Sequence, residues 1–336
     1  MEKNYLRQTP DGPQQGGEIS LNSQLFIKYA EMAGWKVKRI PDFYGSLLTK
    51  GKNKHLLYEQ TILTDHPAVR VADNKLATKR FLQIQGLPTP EGYLVKKTDS
   101  HDLREKIFRA LRKPLVVKPA RGTFGYKVYS EIKTLEDCQS ALESIFQDPV
   151  PKIANRVVVE DQVSGANDYR LYCTTKRCLG VIHRIPAHVI GNGNNTIQEL
   201  ITAKNKDRIH KQLKLDDIAL RFLETNKMTP DSIPKKEQQV FLRRAANTSA
   251  GGDCLQITPE IHQSLKDLAV KSVKAVPGLR YAGVDILTTD GTKDQKDLSP
   301  QIIELNHSPD IAAFYYPDNN KPFNIVEELL KELFPS

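Results

Sequence analysis

An α+β fold in three units is predicted by three observations. Strand-like and helix-like segments alternate in short pieces along 336 residues, a length that suits two or three packed units. Two apolar strands near the C-terminus, Tyr281-Ala-Gly-Val-Asp285-Ile-Leu and Gln301-Ile-Ile-Glu304-Leu-Asn306, are joined by a polar loop, as in an antiparallel pair. Hydrophobic residues make up 39% and charged residues 26%, an ordinary globular balance.

Residues 1–17, rich in Gln, Gly, Pro and Asp, are expected to be a disordered tail. A small N-terminal unit over 18–72 opens with a helix carrying Leu21, Leu25, Ile27 and Tyr29 and stopped at Gly34, followed by strands around Val37–Ile40 and Leu47–Leu48. A central unit is expected over 73–157. Asp73 caps a helix running to Gln85, ended by Gly86 and Pro88. Leu103, Ile107, Ala110 and Leu111 mark the next helix, and Leu115-Val116-Val117-Lys118 a strand. A polar loop from Pro119 to Gly125 follows, then a strand resuming at Tyr126, a helix on Leu135, Cys138, Leu142 and Ile145, and the strand Val157–Val159. The C-terminal unit over 158–336 adds strands at 170–175, 180–185, 281–288 and 301–306. Thr196-Ile-Gln-Glu199 is a capping box. Leu215, Ile218, Ala219, Phe222 and Leu223 form one helix face, and Thr258-Pro259 opens a helix to about Ala275.

No stretch approaches the roughly 20 apolar residues of a spanning helix, and the first residues lack the apolar run of a secretory signal. The four cysteines show neither paired nor zinc-like spacing, which fits reduced thiols and a cytoplasmic location. A net charge of +9 suits nucleotides and anionic small substrates as well as nucleic acid. The cations are scattered rather than gathered into a stripe, so a nucleic-acid partner is not expected.

Four constellations bear on chemistry. Alternation puts Glu304 and Asn306 on one face of their strand, and antiparallel pairing lets Asp285 join them. Two carboxylates and an amide oxygen among apolar neighbours suit octahedral magnesium, with nucleotide phosphates completing its shell; the alternative is a solvent-facing edge. Lys118 leads into Pro119-Ala-Arg-Gly122-Thr123-Phe124-Gly125, where an ammonium and backbone N–H groups can hold phosphate, although a strand-end lysine can also be merely exposed. Lys75, at the start of its helix, can reach a second phosphate. Val157-Val-Val-Glu160-Asp161-Gln162-Val163-Ser-Gly-Ala-Asn167-Asp168-Tyr-Arg170 passes from strand through turn to strand. It can offer backbone groups to adenine and a carboxylate to ribose, or be an ordinary turn. Finally, Arg243, Arg244 and Asn247 precede Gly251-Gly252, and Arg184 lies among apolar residues; guanidinium forks suit phosphate and carboxylate.

In order, Asp73-Asn-Lys75…Thr78-Lys79, Val-Val-Lys118-Pro, Val-Val-Glu160…Asp168-Tyr-Arg170, Arg184-Ile-Pro-Ala-His188-Val-Ile-Gly-Asn-Gly193, Thr229-Pro-Asp-Ser-Ile233, Leu-Arg243…Asn247…Gly251-Gly252-Asp, Gly-Val-Asp285 and Ile-Glu304-Leu-Asn306 resemble the ATP-grasp domain of cyanophycin synthetase. They equally resemble the glutathione-synthetase half of the bifunctional bacterial glutathione enzyme. The resemblance covers residues from about 20 to 336. It implies an ATP-grasp fold with a central lid unit and an antiparallel-sheet catalytic unit. It also implies an ADP-forming ligase that joins a small-molecule or peptide carboxylate to an amine through an acyl-phosphate, using ATP and Mg2+, with Mn2+ able to substitute. An ATP-grasp kinase and a non-catalytic nucleotide or nucleic-acid binder are the rivals. A homodimer is the one assembly left open.

By the resemblance, Lys75 and Lys118 hold the phosphates under a loop from Arg121 to Tyr126 that includes Gly122, Thr123, Phe124 and Gly125. Glu160, Asp161, Gln162 and Val163 line the adenine site, and Asp168, or Asn167 beside it, binds ribose. Arg170, Arg184 and Arg244, with Asn247, steady the acyl-phosphate or substrate carboxylate. Asp285, Glu304 and Asn306 hold magnesium. Lys127 stands where family members often have glycine, and His307-Ser-Pro-Asp310 departs in the region that shapes the acceptor site, which implies a different amine. Neither partner half of the two relatives is present in this sequence, so a free-standing ligase is expected.

Overall fold

The computed structural model describes residues 19–40, 45–122, 125–206, 208, 212–246, 248 and 251–335. The expected tail, and Thr123, Phe124 and Asn247, lie outside them. The chain divides into two compact units, one of residues 1–62, 180–258 and 310–336, the other of residues 63–179 and 259–309. The segment expected as one C-terminal unit from 158 onward contributes to both.

In the second unit, an antiparallel four-stranded sheet has the order Gly92–Lys96, Arg156–Asp161, Leu115–Pro119, Tyr129–Ile132. Val95, Leu115, Val117, Val157 and Val159 on these strands pack against Ile107, Leu142, Ile145 and Phe146. The last three come from the helix Leu135–Phe146, whose N-cap Thr134 accepts from the Asp137 amide at 3.1 Å. The strand Tyr281–Thr288 pairs antiparallel with Asn167–Thr174 on one side and Gln301–Asn306 on the other. The helix Gln263–Lys274 buries Leu265, Ala269 and Val273 in this unit.

Three boundaries differ from expectation for local reasons. Asp73 ends the short helix His66–Ala72, and Asn74 caps the next one, Lys75–Ile84, by accepting from the Leu76 and Ala77 amides at 3.1 and 3.2 Å. The helix expected from Thr258 begins at Gln263 behind the N-cap His262, because the Thr258 hydroxyl accepts from the Val181 amide at 2.8 Å instead. The strand expected from Tyr126 starts at Tyr129, after a turn through Lys127.

In the first unit, four strands from Lys36–Arg39 to Thr61–Ile62 form an antiparallel meander. Cys178–Ile185 pairs with Asp253–Gln256, setting Arg184 opposite Cys254. The ribbon of His188–Ile190 and Gln239–Phe241 packs Val189 and Val240 on Ile197 and Ile201 of the helix Ile197–Lys206. The expected capping box opens that helix: Glu199 accepts from the Thr196 amide at 2.8 Å, and the Thr196 hydroxyl accepts from the Glu199 amide at 3.2 Å. Among the described residues, no helix is long and apolar enough to cross a membrane.

Candidate active site

Strand register gathers the charged residues of the second unit. Arg170 lies opposite Asp285, and Asp285 opposite Glu304, so the three share one face of adjacent strands. Arg170 Nε and Nη2 donate to the two oxygens of Asp285 at 2.7 and 2.8 Å, a bidentate fork. Arg170 also stands 4.0 Å from Glu304, and Lys75 Nζ 3.3 Å from it. Asn306, two residues along, donates to Glu304 Oε1 at 3.4 Å. Gly283 faces Asn306, and a Cβ there would lie 2.7 Å from Pro309 Cβ and 3.4 Å from Arg170 Cδ. Glycine therefore leaves room for the arginine stem.

The alternation of strand side chains also separates Asp168 from Asn167. Asp168 shares the face of Arg170, whereas Asn167 points to the reverse and donates to the Thr289 carbonyl at 2.7 Å.

Among the described residues, no three or more His, Cys, Asp or Glu side chains cluster as a metal cage. The oxygen set of Asp285, Glu304 and Asn306 nevertheless fits a hard cation that takes its remaining ligands from phosphate and water, as magnesium does. Arg170 and Lys75 supply the compensating charge at these carboxylates.

A second cluster lies on the four-stranded sheet. Val116 pairs with Glu160, which makes Lys118 its diagonal neighbour on the same face. Lys118 Nζ donates to Glu160 Oε1 at 2.5 Å, and Lys79 Nζ sits 2.9 Å from Oε2. Lys79 also donates to the Pro90 carbonyl at 2.8 Å and to the Thr89 hydroxyl at 3.1 Å. All three charged side chains are buried. Lys75, one helical turn before Lys79, donates its backbone amide to Ala120 O at 3.0 Å and its ammonium to Gly122 O at 2.8 Å. The helix start is thereby docked on the loop after Lys118.

Burial opposes ionisation of Glu160, but Lys118 and then Lys79 outweigh it and hold the carboxyl below its ordinary 4.5. For Lys79, burial is the largest influence and lowers the ammonium, with Glu160 opposing. A depressed carboxylate contributes stability that is present above its unfolded pKa and lost as pH falls through the folded one. The depressed lysine works the other way, being unfavourable until pH rises toward 10.5. Acidification below about pH 4.5 is therefore expected to lower the urea midpoint, and Glu160→Gln to make that fall shallower. Equal acid profiles for the two proteins would remove Glu160 as a source of acid sensitivity.

The remaining predicted residues are placed as follows. Asp161 accepts from the Arg112 amide and Nε at 2.9 and 3.0 Å. Gln162 accepts from the Glu131 amide at 2.7 Å, and Val163 is half-buried. Lys118 donates to one oxygen of Glu160, and Lys79 pairs with the other as an ion pair. Gly122 and Gly125 have φ of +145° and +69°. Lys127, at the family's frequent glycine position, also has a left-handed φ of +50°. Its ammonium donates to Ser144 O at 2.6 Å and pairs with Asp148 at 3.1 Å, and the Tyr126 hydroxyl donates to the same carboxylate at 2.9 Å. These contacts offset the strain and tie this end of the loop to the helix Leu135–Phe146.

In the first unit, Arg184 is buried and Arg244 exposed. Burial pushes the thiol opposite Arg184, Cys254, up to about 12. Arg208, absent from the sequence expectations, is buried and donates to Asp253 Oδ1 at 2.9 Å and to the carbonyls of Gly251 and Gly252 at 3.0 and 2.8 Å. It clamps the glycine pair that follows the arginines. Lys79 was legible only as a motif residue. A lysine on the same buried stripe as Thr78 and Leu82 was the signal for its role.

No family model matches the chain. It is 32% identical over 324 residues to cyanophycin synthetase from Trichormus variabilis, covering 94% of this chain and 35% of that protein. It is 33% identical over 333 residues to the glutathione biosynthesis bifunctional protein of Clostridium perfringens, covering 94% of this chain and 41% of that one. Among solved structures, a bifunctional glutathione synthetase from Pasteurella multocida superposes with a TM-score of 0.69 at 26% identity, over 95% of this chain and 44% of that one. The chain thus spans less than half the length of each of these relatives. It has the ATP-grasp fold and is related, over nearly its whole length, to cyanophycin synthetase and the bifunctional glutathione-biosynthesis proteins.

Proposed function

We propose that the chain is an ADP-forming ligase that joins a carboxylate to an amine, of the acid–amino-acid or peptide type. The observation that carries this reading is the shared face of Asp285, Glu304 and Asn306, with Lys75 bridging it to the loop after Lys118. An oxygen-rich face for a phosphate-bound cation and lysines for the phosphates are the two halves of a nucleotide-triphosphate site.

Lys75 and Lys118 hold the ATP phosphates, the backbone at 160–163 meets adenine, and Asp168 takes the ribose hydroxyls. Asp285, Glu304 and Asn306 hold Mg2+ or Mn2+, which supplies charge neutralisation at the transferring phosphoryl group. Arg170 steadies the acyl-phosphate or the substrate carboxylate. A carboxylate oxygen attacks the γ-phosphorus and the bond to the β–γ bridging oxygen breaks, releasing ADP. The amine nitrogen then attacks the acyl carbon, expelling phosphate and leaving an amide once the amine loses its proton. Excluding water from the site protects the acyl-phosphate until the amine attacks. The named activities of the relatives make amino acids or short peptides the first acids and amines to try.

Paired acid and amine libraries, screened for nucleotide release, test the reading. The nucleotide product is expected to be ADP, with equimolar phosphate and amide. Hydroxylamine is expected to replace the amine and yield a hydroxamate. Release of AMP and pyrophosphate, or full-speed turnover to a stable phosphoester without any amine, would overturn it.

A further inference from the structure

Proton accounting at the buried cluster separates its two lysines. An ammonium has three N–H donors. The Lys79 ammonium donates to the Thr89 hydroxyl and the Pro90 carbonyl and lies 2.9 Å from Glu160 Oε2 as an ion pair, so it is committed to protein groups. Lys118 is also buried, yet among the described residues it bonds only to Glu160 Oε1. Two of its donors remain, beside the loop that leads to Gly122. A buried ammonium with two uncommitted donors needs an anion or water to complete it.

Charge points the same way. The three groups sum to one positive charge, two ammoniums against one carboxylate. Without Lys79, Glu160 and Lys118 would cancel, and the buried Glu160 Oε2 would lose the counter-charge 2.9 Å away. The pair would then offer an incoming phosphate a neutral dipole rather than a cation.

We propose that Lys79 is a positioning residue of the nucleotide site: by neutralising Glu160 it leaves Lys118 a net positive charge and two N–H donors for phosphate. The inference rests on the nucleotide reading above but concerns a residue that itself touches no ligand. Lys79 sets the charge that Lys118 presents, and the rigid carbonyl and hydroxyl contacts of its own ammonium fix Glu160 in place.

Calorimetric titration with Mg-ADP tests it on the full chain. The summed charge of the trio is +1 in the wild type, 0 in Lys79→Met, +1 in Lys79→Met/Glu160→Gln and +2 in Glu160→Gln. Affinity is expected to follow that order: about tenfold weaker for Lys79→Met, restored to within a few-fold in the double variant, and at least as tight as wild type in Glu160→Gln. A merely structural Lys79 would make affinity track the melting temperature, which the double variant's lost buried bonds keep low. If Lys79→Met does not fold, the comparison of Glu160→Gln with the double variant still reads one unit of charge. Equal affinities across the folded variants, with the wild type binding, would overturn this inference and leave the functional reading standing. Failure of the wild type itself to bind Mg-ADP would overturn both.

Discussion

Replacing Glu304 with alanine is expected to reduce kcat by about 100-fold or more while barely changing stability. The carboxylate lies at the crossing of the site, opposite Asp285, 3.3 Å from Lys75 and 3.4 Å from the Asn306 amide. Its side chain is 24% exposed, so truncation opens no core cavity and removes only a partly screened ion pair, worth about 0.5 kcal/mol. The loss falls instead on the cation-binding oxygens, which offset charge during phosphoryl transfer. Raising the Mg2+ concentration should recover part of the rate, because the remaining ligands still bind the ion. A folded Glu304→Ala protein that turns over like the wild type would sink the assignment of this face to metal.

Arg170→Met is expected to cost about 3 kcal/mol of folding stability as well as activity, because it strands a buried charge. Asp285 is only 6% exposed, and the guanidinium meets both of its oxygens. Removing the cation alone leaves the carboxylate without its fork, whereas Arg170→Met/Asp285→Asn removes both charges together. The double variant should therefore regain much of the stability lost by the single one, although its turnover stays low. Urea unfolding of the four proteins of this cycle gives the coupling directly. A single variant within about 0.5 kcal/mol of wild type would mean that Arg170 is not what balances Asp285 in solution.

These two substitutions mark different depths of legibility. Glu304 and Asn306 could be set on one face from strand alternation alone, since a period of two needs no knowledge of the neighbouring strand. Asp285 could be brought to them only by supposing an antiparallel pair. The bond between Arg170 and Asp285 joins residues 115 apart in sequence, and no local pattern specifies such a register. The same holds for Glu160, whose oxygens face Lys118 and Lys79, delivered by a neighbouring strand and a helix. Helix starts failed where a side chain had a competing partner, as at Thr258, and succeeded where the bonds were local, as in the capping box at Thr196.

Local patterns in the chain carry the α+β character, most of the strands and helices, the order of the motifs and the donor types available for phosphate and cation. All of these depend on periodicities and caps that act over a few residues. Which charges neutralise one another emerges only from the fold: Arg170 with Asp285, Lys75 with Glu304, and Lys79 with Lys118 around Glu160. The physical reason is that a buried charge is tolerated only with a counter-charge at contact distance. That partner is supplied by strand register and helix docking, which chain-local patterns leave open.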